Sequence, residues 1–352
     1  LNVGGFCDAG DYDIQTGQNV NLIRNLYYAY KEFDTGYDTL DVDWDGYNNV
    51  ELHRPDGTAD IVQLIKHGIL QILGQYENIG FLASILETLR QYTQIGSSND
   101  TDNKVYDPTL EENEIWGLTS GKKDDRYVFA STKNASTNLG AAEIFAQSYM
   151  VLKDYDKETA DRCLAAAEKI WNEEPDSHVG TESEMSFFGM TFKTAPADWG
   201  AAVALFEATG KDVYKNRVAE LLDVELQAGA GGGGFFGGGA SFTGGGWKAY
   251  SVVDQLGEEA KAKYEAAVAA YAPTIAAANQ NNPYGIPNSD SMWGGSMPAI
   301  QTAFVPAILH NNFPETVSAD QIFKVMNYIL GTHPYNSTSW ASCVGNTSVE
   351  LG

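Results

Sequence analysis

The chain has 352 residues, enough for one large domain or two ordinary ones with a sizeable core. Its 43% hydrophobic and 12% aromatic content excludes general disorder, and apolar runs such as IVQLIKHGILQIL are too short and too often broken by charge to span a membrane. A formal charge of −25 excludes nucleic acid and anionic membranes as partners, because phosphate binding needs concentrated Lys and Arg, and it suits a neutral or cationic polymer.

In chain order, the first feature is GGFCDAGDYDIQTG, which crowds Asp8, Asp11 and Asp13 between glycines and aromatic residues. Asp and Gly are common turn residues, and the helix that begins near Gln18 needs a cap, so the stretch alone reads equally as a turn or a cap. QNVNLIRNLYYAYKEF then places Val20, Ile23, Leu26, Tyr27 and Tyr30 on one helical face. DVDWDGYNNVEL resembles a calcium loop, with Asp41, Asp43 and Asp45 at its first, third and fifth places. Its twelfth place is Leu52 rather than an acid, and no pair of flanking helices is visible. TADIVQLIKHGILQILGQY is a second amphipathic helix, capped by Thr58, with Asp60 in its first turn.

Further helices are expected over 79–94, 136–154, 157–173, 197–209, 212–226, 258–279, 298–311 and 319–331, and strand signals are scarce. About ten helices in succession imply an all-α fold of stacked hairpins. The loops between them are long and rich in Trp, Tyr, Asp, Asn and Gly, which marks them as binding surfaces. Aromatic rings stack on sugar rings and carboxylates do acid–base work, so such loops suit a carbohydrate site. The glycine-rich segment 228–247 carries no functional expectation.

Cys7, Cys163 and Cys343 lack metal-ligand spacing, and allow at most one disulfide and one spare thiol. Asn99, Asn134, Asn336 and Asn346 head glycosylation sequons, which favours an extracellular location. No leader is visible and no Met starts the chain, so Leu1 is not expected to be the natural start.

Five stretches together carry a family resemblance. GGFCDAGDYD, RPDGTADIVQLIKHGI, ADWGAAVALFEATG, SMWGGSMPAI and VMNYILGTHPYNSTSW resemble, in order, the motifs of family-nine glycoside hydrolases, the inverting cellulase family. In the fourth, Gly295 and Ser296 stand out of register with the family's usual pair. The resemblance implies an (α/α)6 barrel and one catalytic domain over 1–352, incomplete at both ends, with no cofactor required; a structural calcium at Asp41, Asp43 and Asp45 is a separate expectation from the calcium-loop pattern. It implies inverting hydrolysis of β-1,4-linked glucan, with Asp11 as the base that activates water and Asp8 assisting. Gly10 would let the backbone bend between the two carboxylates.

The resemblance also implies substrate contacts from Trp116, Trp199, Trp293 and His333. Trp199 reads equally as core, and His333 reads more readily as a satisfied loop residue. The family's helix before the Asp-Ala-Gly-Asp turn and its general-acid Glu find no counterpart here, so both ends are expected to lie outside these residues, the acid beyond Gly352. The partners implied are a β-glucan polysaccharide or oligosaccharide and, in some members, accessory modules or a multi-enzyme complex. Two alternatives stay open: an exo-acting glycosidase on cello- or glucosamine oligomers, and a non-catalytic carbohydrate-binding or scaffold relative.

Overall fold

The computed structural model describes residues 3–7, 13–42, 50–88, 105–112, 114–117, 119–123, 126–129, 133–181, 183–187, 190–227, 242–278, 283–286, 296–334, 337–341 and 344–349. These divide into one unit of residues 1–180 and 196–218 and another of 181–195 and 219–352.

In the first unit, α1 (Thr16–Glu32) buries Val20, Ile23, Tyr27 and Tyr28. It packs on α2 (Asp60–Ile79), whose Ile65, Ile69, Ile72 and Leu73 are wholly buried. Each such side chain contributes about 1.5–3 kcal/mol relative to exposure. Gly80 ends α2 in a left-handed conformation, φ +83°, with its N–H on the Tyr76 carbonyl. Helix α3 (Ala135–Leu152) is buried on nearly every side between Leu139 and Ser148, because α1, α2, α4 (Lys157–Glu173) and α5 (Trp199–Thr209) all pack against it. Asn134 and Asp156 cap α3 and α4 by accepting from the N–H groups of Thr137 and Thr159, both at 3.0 Å. Helix α6 (Asp212–Glu225) begins in this unit.

Three small sheets accompany these helices. The strands β1 (Ile14–Gln15), β4 (Ile85–Thr88) and β8 (Arg126–Phe129) pair antiparallel in the order β1-β4-β8, with Ile14 opposite Leu86 and Leu86 opposite Val128. A hairpin joins β2 (Leu40–Val42) to β3 (Val50–Leu52). The third sheet has β7 (Thr119–Ser120) between β5 (Val105–Tyr106) and β6 (Ile115–Trp116).

The second unit holds the antiparallel pair β9 (Ser183–Phe187) and β10 (Met190–Thr194), a 3₁₀ turn at Gly246–Ser251, α7 (Val253–Leu256), α8 (Glu258–Ala278), α9 (Ser296–Asn312) and α10 (Asp320–Ile329). Tyr264 of α8 is fully buried and donates its hydroxyl to the Trp247 carbonyl at 2.6 Å. Ile286, Ala299, Ala303 and Val325 form a separate cluster, against which Tyr284, Tyr328 and Ile329 pack.

Three expectations need correction. The helix expected over 79–94 is absent in its described part: Gly80 closes α2, and Ile85–Thr88 is a strand. Its apolar residues fit either period, and pairing with β1 and β8 decides for the strand. Strands are also more frequent than their signals, since segments of two to five residues are too short to show alternation. At the start of α2 the N-cap is Ala59, not Thr58, and it makes no side-chain cap bond. The Asp60 carboxylate instead accepts from the N–H groups of Thr39 and Leu40, and Asp56 accepts from the Thr58 N–H. Among the described residues, no helix is long and apolar enough to cross a membrane.

Candidate active site

The chain that leads into the Asp8–Asp11 stretch is pressed onto α2. Gly4 and Gly5 both have left-handed backbones, φ +64° and +88°. A Cβ at Gly4 would overlap the His67 carbonyl oxygen, and one at Gly5 would lie 2.6 Å from Gln71 Cγ. Only glycine accepts both the conformation and the approach. The Gly5 N–H donates to the His67 carbonyl at 3.0 Å, and His67 Nε2 donates to the Gly5 carbonyl at 2.8 Å. Phe6 drops its ring edge-on against His67, at 5.3 Å between centroids, and sits over Gly68, where any Cβ would come within 2.8 Å of Phe6 and of Ile23. The first two family-like stretches therefore touch one another.

The downstream end is held as firmly. Asp13 and Ile14 are buried, Gln15 Nε2 donates to Asp13 Oδ2 at 3.2 Å, and the Thr16 N–H reaches the Ser84 carbonyl at 3.0 Å. Buried Gln75 bonds the Thr16 hydroxyl, Gln71 and the Ala83 N–H. One side chain ties both ends. Buried Asn19, in the first turn of α1, accepts from the Phe6 N–H at 2.8 Å, and its amide donates to the Phe6 carbonyl at 2.8 Å and the Gln15 carbonyl at 3.2 Å. The N-cap of α1 is Gln15, so Asp11 does not occupy the capping position. Asp8 and Asp11 themselves lie outside the described residues.

The other expected site residues are scattered in their placement. Trp116, the last residue of β6, is 77% exposed. Trp199 is 3% exposed in the core and offers no open face to a sugar. His333 is buried, donates Nε2 to the Thr338 carbonyl at 2.7 Å, and stacks on Trp340 at 4.5 Å with Tyr328 edge-on. Trp293, Asp43 and Asp45, together with Asn99 and Asn336, lie outside the described residues. Asp41 lies on β2 opposite Glu51 and pairs with Arg54 at 3.1 Å, so it belongs to a strand hairpin rather than a helix-flanked loop. Among the described residues, no group of three or more His, Cys, Asp and Glu could hold a metal. Asn346 is exposed, and so is Asn134 even as it caps α3. Cys7 is an exposed thiol and Cys163 a buried one, while Cys343 lies outside the described residues.

Two buried charge clusters meet the third family-like stretch, at Asp198 and at Gly200. Asp198 is fully buried and accepts from Arg217 Nε at 2.7 Å, Arg217 Nη2 at 3.2 Å and His178 Nδ1 at 3.0 Å. Burial, the largest effect, pushes its carboxyl up, but the bonds from His178 and Arg217 outweigh it and hold the group below the usual carboxylate range. His178 Nε2 also lies 2.8 Å from the Trp171 carbonyl, and its ring stacks on that of Trp171 at 3.7 Å. Beside this cluster, Gly200 presses on the buried Glu143 carboxylate, which pairs with Arg24 at 2.9 Å. Sequence reasoning missed Asn19 and His67. The available signal was His67–Gly68 inside the second stretch, a histidine beside a glycine in mid-helix.

The profile of Glycosyl hydrolase family 9 matches residues 2–350. A search of curated proteins by sequence found no match. Among solved structures, the chain is similar to the family-nine endoglucanase J30 at 16% identity and a TM-score of 0.67, covering 98% of this chain and 59% of that one. It is similar to AaCel9A in complex with cellobiose-like isofagomine, at 16% identity and a TM-score of 0.66, covering 98% and 60%. The endoglucanase of the termite Nasutitermes takasagoensis matches at 16% identity and a TM-score of 0.61, over 93% and 67%. The chain thus spans about three fifths of the first two structures' length, and the likeness is one of fold. The all-α fold expected from the helical periodicity, and the (α/α)6 barrel that the family resemblance implies, agree with the fold of these structures. The chain belongs to glycosyl hydrolase family 9.

Proposed function

We propose that residues 1–352 belong to a single catalytic domain, incomplete at both ends, of a protein that hydrolyses β-1,4-linked glucan with inversion, Asp11 acting as the base on water and Asp8 assisting. The observation that carries the reading is the family match over residues 2–350, which includes the Asp-Ala-Gly-Asp stretch at 8–11. Inversion needs a carboxylate poised to take a proton from a water that attacks the anomeric carbon from the face opposite the leaving group. The protonated partner stands roughly 6.5–9.5 Å away to leave room for that water. Endoglucanases among the similar structures, one of them bound to a cellobiose-like ligand, support β-glucan as the substrate class.

Trp116, which is exposed, and Trp293 serve as sugar platforms in this reading, and Trp199 and His333 drop out of it because both are buried. An extracellular location fits the sequons and the acidic balance. The test is reducing-sugar release from soluble β-1,4-glucan by the full-length protein and by its Asp11→Asn variant, with the anomer of the first product read by proton NMR. Activity that collapses in Asp11→Asn and first yields the α-anomer is expected. Undiminished activity in Asp11→Asn, or a β-anomer, overturns the assignment. Turnover confined to glucosamine oligomers moves the substrate to the exo-acting alternative, and sugar binding without turnover moves the protein to the non-catalytic one.

A further inference from the structure

We propose that Asn19 and His67 are positioning residues for hydrolysis, which set the catalytic stretch by holding its two ends. This rests on the assignment of Asp11 as base. A carboxylate in a turn activates water only if the turn is fixed relative to the substrate, and an error of about 1 Å costs roughly 100-fold in rate. Eight residues separate Phe6 from Gln15, and Asp8 and Asp11 are among them. The Asn19 amide uses its carbonyl on the Phe6 N–H and its NH₂ on the carbonyls of Phe6 and Gln15. It therefore ties Phe6 to Gln15, from a helix that is itself anchored in the core by Val20 and Ile23. His67 adds a second clamp one residue upstream, where it and Gly5 exchange two hydrogen bonds, one of them from the imidazole. Its ring also supports Phe6 from the side.

The arrangement is more specific than core packing requires. An apolar residue at 19 would fill the same buried volume, but it would leave the half-buried Phe6 N–H and carbonyl without these partners. Each bond falls on the main chain at an end of the loop, so loosening one alters where the loop starts or stops while its composition stays the same. Both residues act through the backbone of the loop and need not touch substrate.

The test compares Asp11→Asn, Asn19→Ala, His67→Phe and His67→Gln with the parent on soluble β-1,4-glucan, beside Ile69→Val, which trims the core of the same helix. Asn19→Ala and His67→Phe are expected to lower kcat about 10- to 100-fold with KM within about twofold, since the loop is displaced and the sugar subsites are not. His67→Gln, which keeps a donor for the Gly5 carbonyl, recovers most of the loss, and Ile69→Val leaves kcat unchanged. If Asp11→Asn is inactive while Asn19→Ala and His67→Phe keep the parental kcat, the positioning roles are overturned and the base stands. If Asp11→Asn is as active as the parent, the functional reading fails and the positioning roles fall with it. Amide exchange reads the clamp without turnover: the Phe6 amide is expected to exchange at least tenfold faster in Asn19→Ala while the amides of α3 keep their rates. An unchanged Phe6 rate overturns the proposal.

Discussion

Replacing Asp198 by Asn keeps the size of the side chain and removes its charge, which isolates what that charge does in the first unit. The carboxylate is fully buried, and three donors converge on it, two from Arg217 and one from His178. Arg217 is itself only 4% exposed, so the substitution leaves a guanidinium in the interior without the Asp198 charge. Breaking a buried ion pair from one side costs about 3–5 kcal/mol, whereas replacing both partners by apolar residues is often near neutral. Asp198→Asn is therefore expected to lose about 3–5 kcal/mol in urea unfolding at pH 7. Asp198→Asn combined with Arg217→Met is expected to lose less than the sum of the two single changes.

The loss also carries a sign in pH. The Asp198 carboxyl is held below the usual range in the fold, so its contribution is present above the unfolded value of about 3.9 and fades as pH falls through the folded one. The gap between parent and Asp198→Asn should therefore narrow below about pH 4. A loss under about 1 kcal/mol at pH 7, or strict additivity in the double variant, would refute the claim that the charge pair holds α5, α6 and the Pro175–His178 turn together.

Other consequences follow from the same packing. Gly200→Ala sets a methyl against the Glu143 carboxylate and should cost about 1–3 kcal/mol by displacing it from Arg24, which circular dichroism melts would register as a lower Tm. His67 is held neutral, its pKa lowered mainly by burial and raised less by its bond to Gly5, so its contribution is complete above the unfolded value of about 6.5 and is lost as pH falls through it. Stability of the parent relative to His67→Gln should accordingly decline from pH 7 to pH 5, and a gap constant over that range would count against the reading. Burial pushes the Cys163 thiol up, so alkylation followed by peptide mass spectrometry should label Cys7 in the native protein and Cys163 only after unfolding. Trp116→Ala should raise KM for glucan severalfold and leave the melt unchanged, because the ring is exposed and contributes little to the core.

The helical periods of α1 to α6 and α8 to α10 are readable in the chain, because residues three and four apart must share a face whatever lies opposite. Their ends agree with the expected ranges to within a few residues, apart from the 79–94 segment, where a short apolar run fits two periods and a strand partner about 70 residues away decided between them. Trp199 and His333 show the same division at the level of side chains. A Trp in an apolar helix and a His before Pro announce their types, but only the surrounding elements bury one in the core and stack the other on Trp340.

Linear sequence was enough to establish the helical scaffold and to pick out the acidic stretch at 8–11, since both are written in residues close together along the chain. What seats that stretch was left to the tertiary structure. Asn19 lies 13 residues from Phe6 and His67 lies 62 from Gly5, and a hydrogen bond depends on distance and angle in space, which packing α1 against α2 supplies and residue order does not.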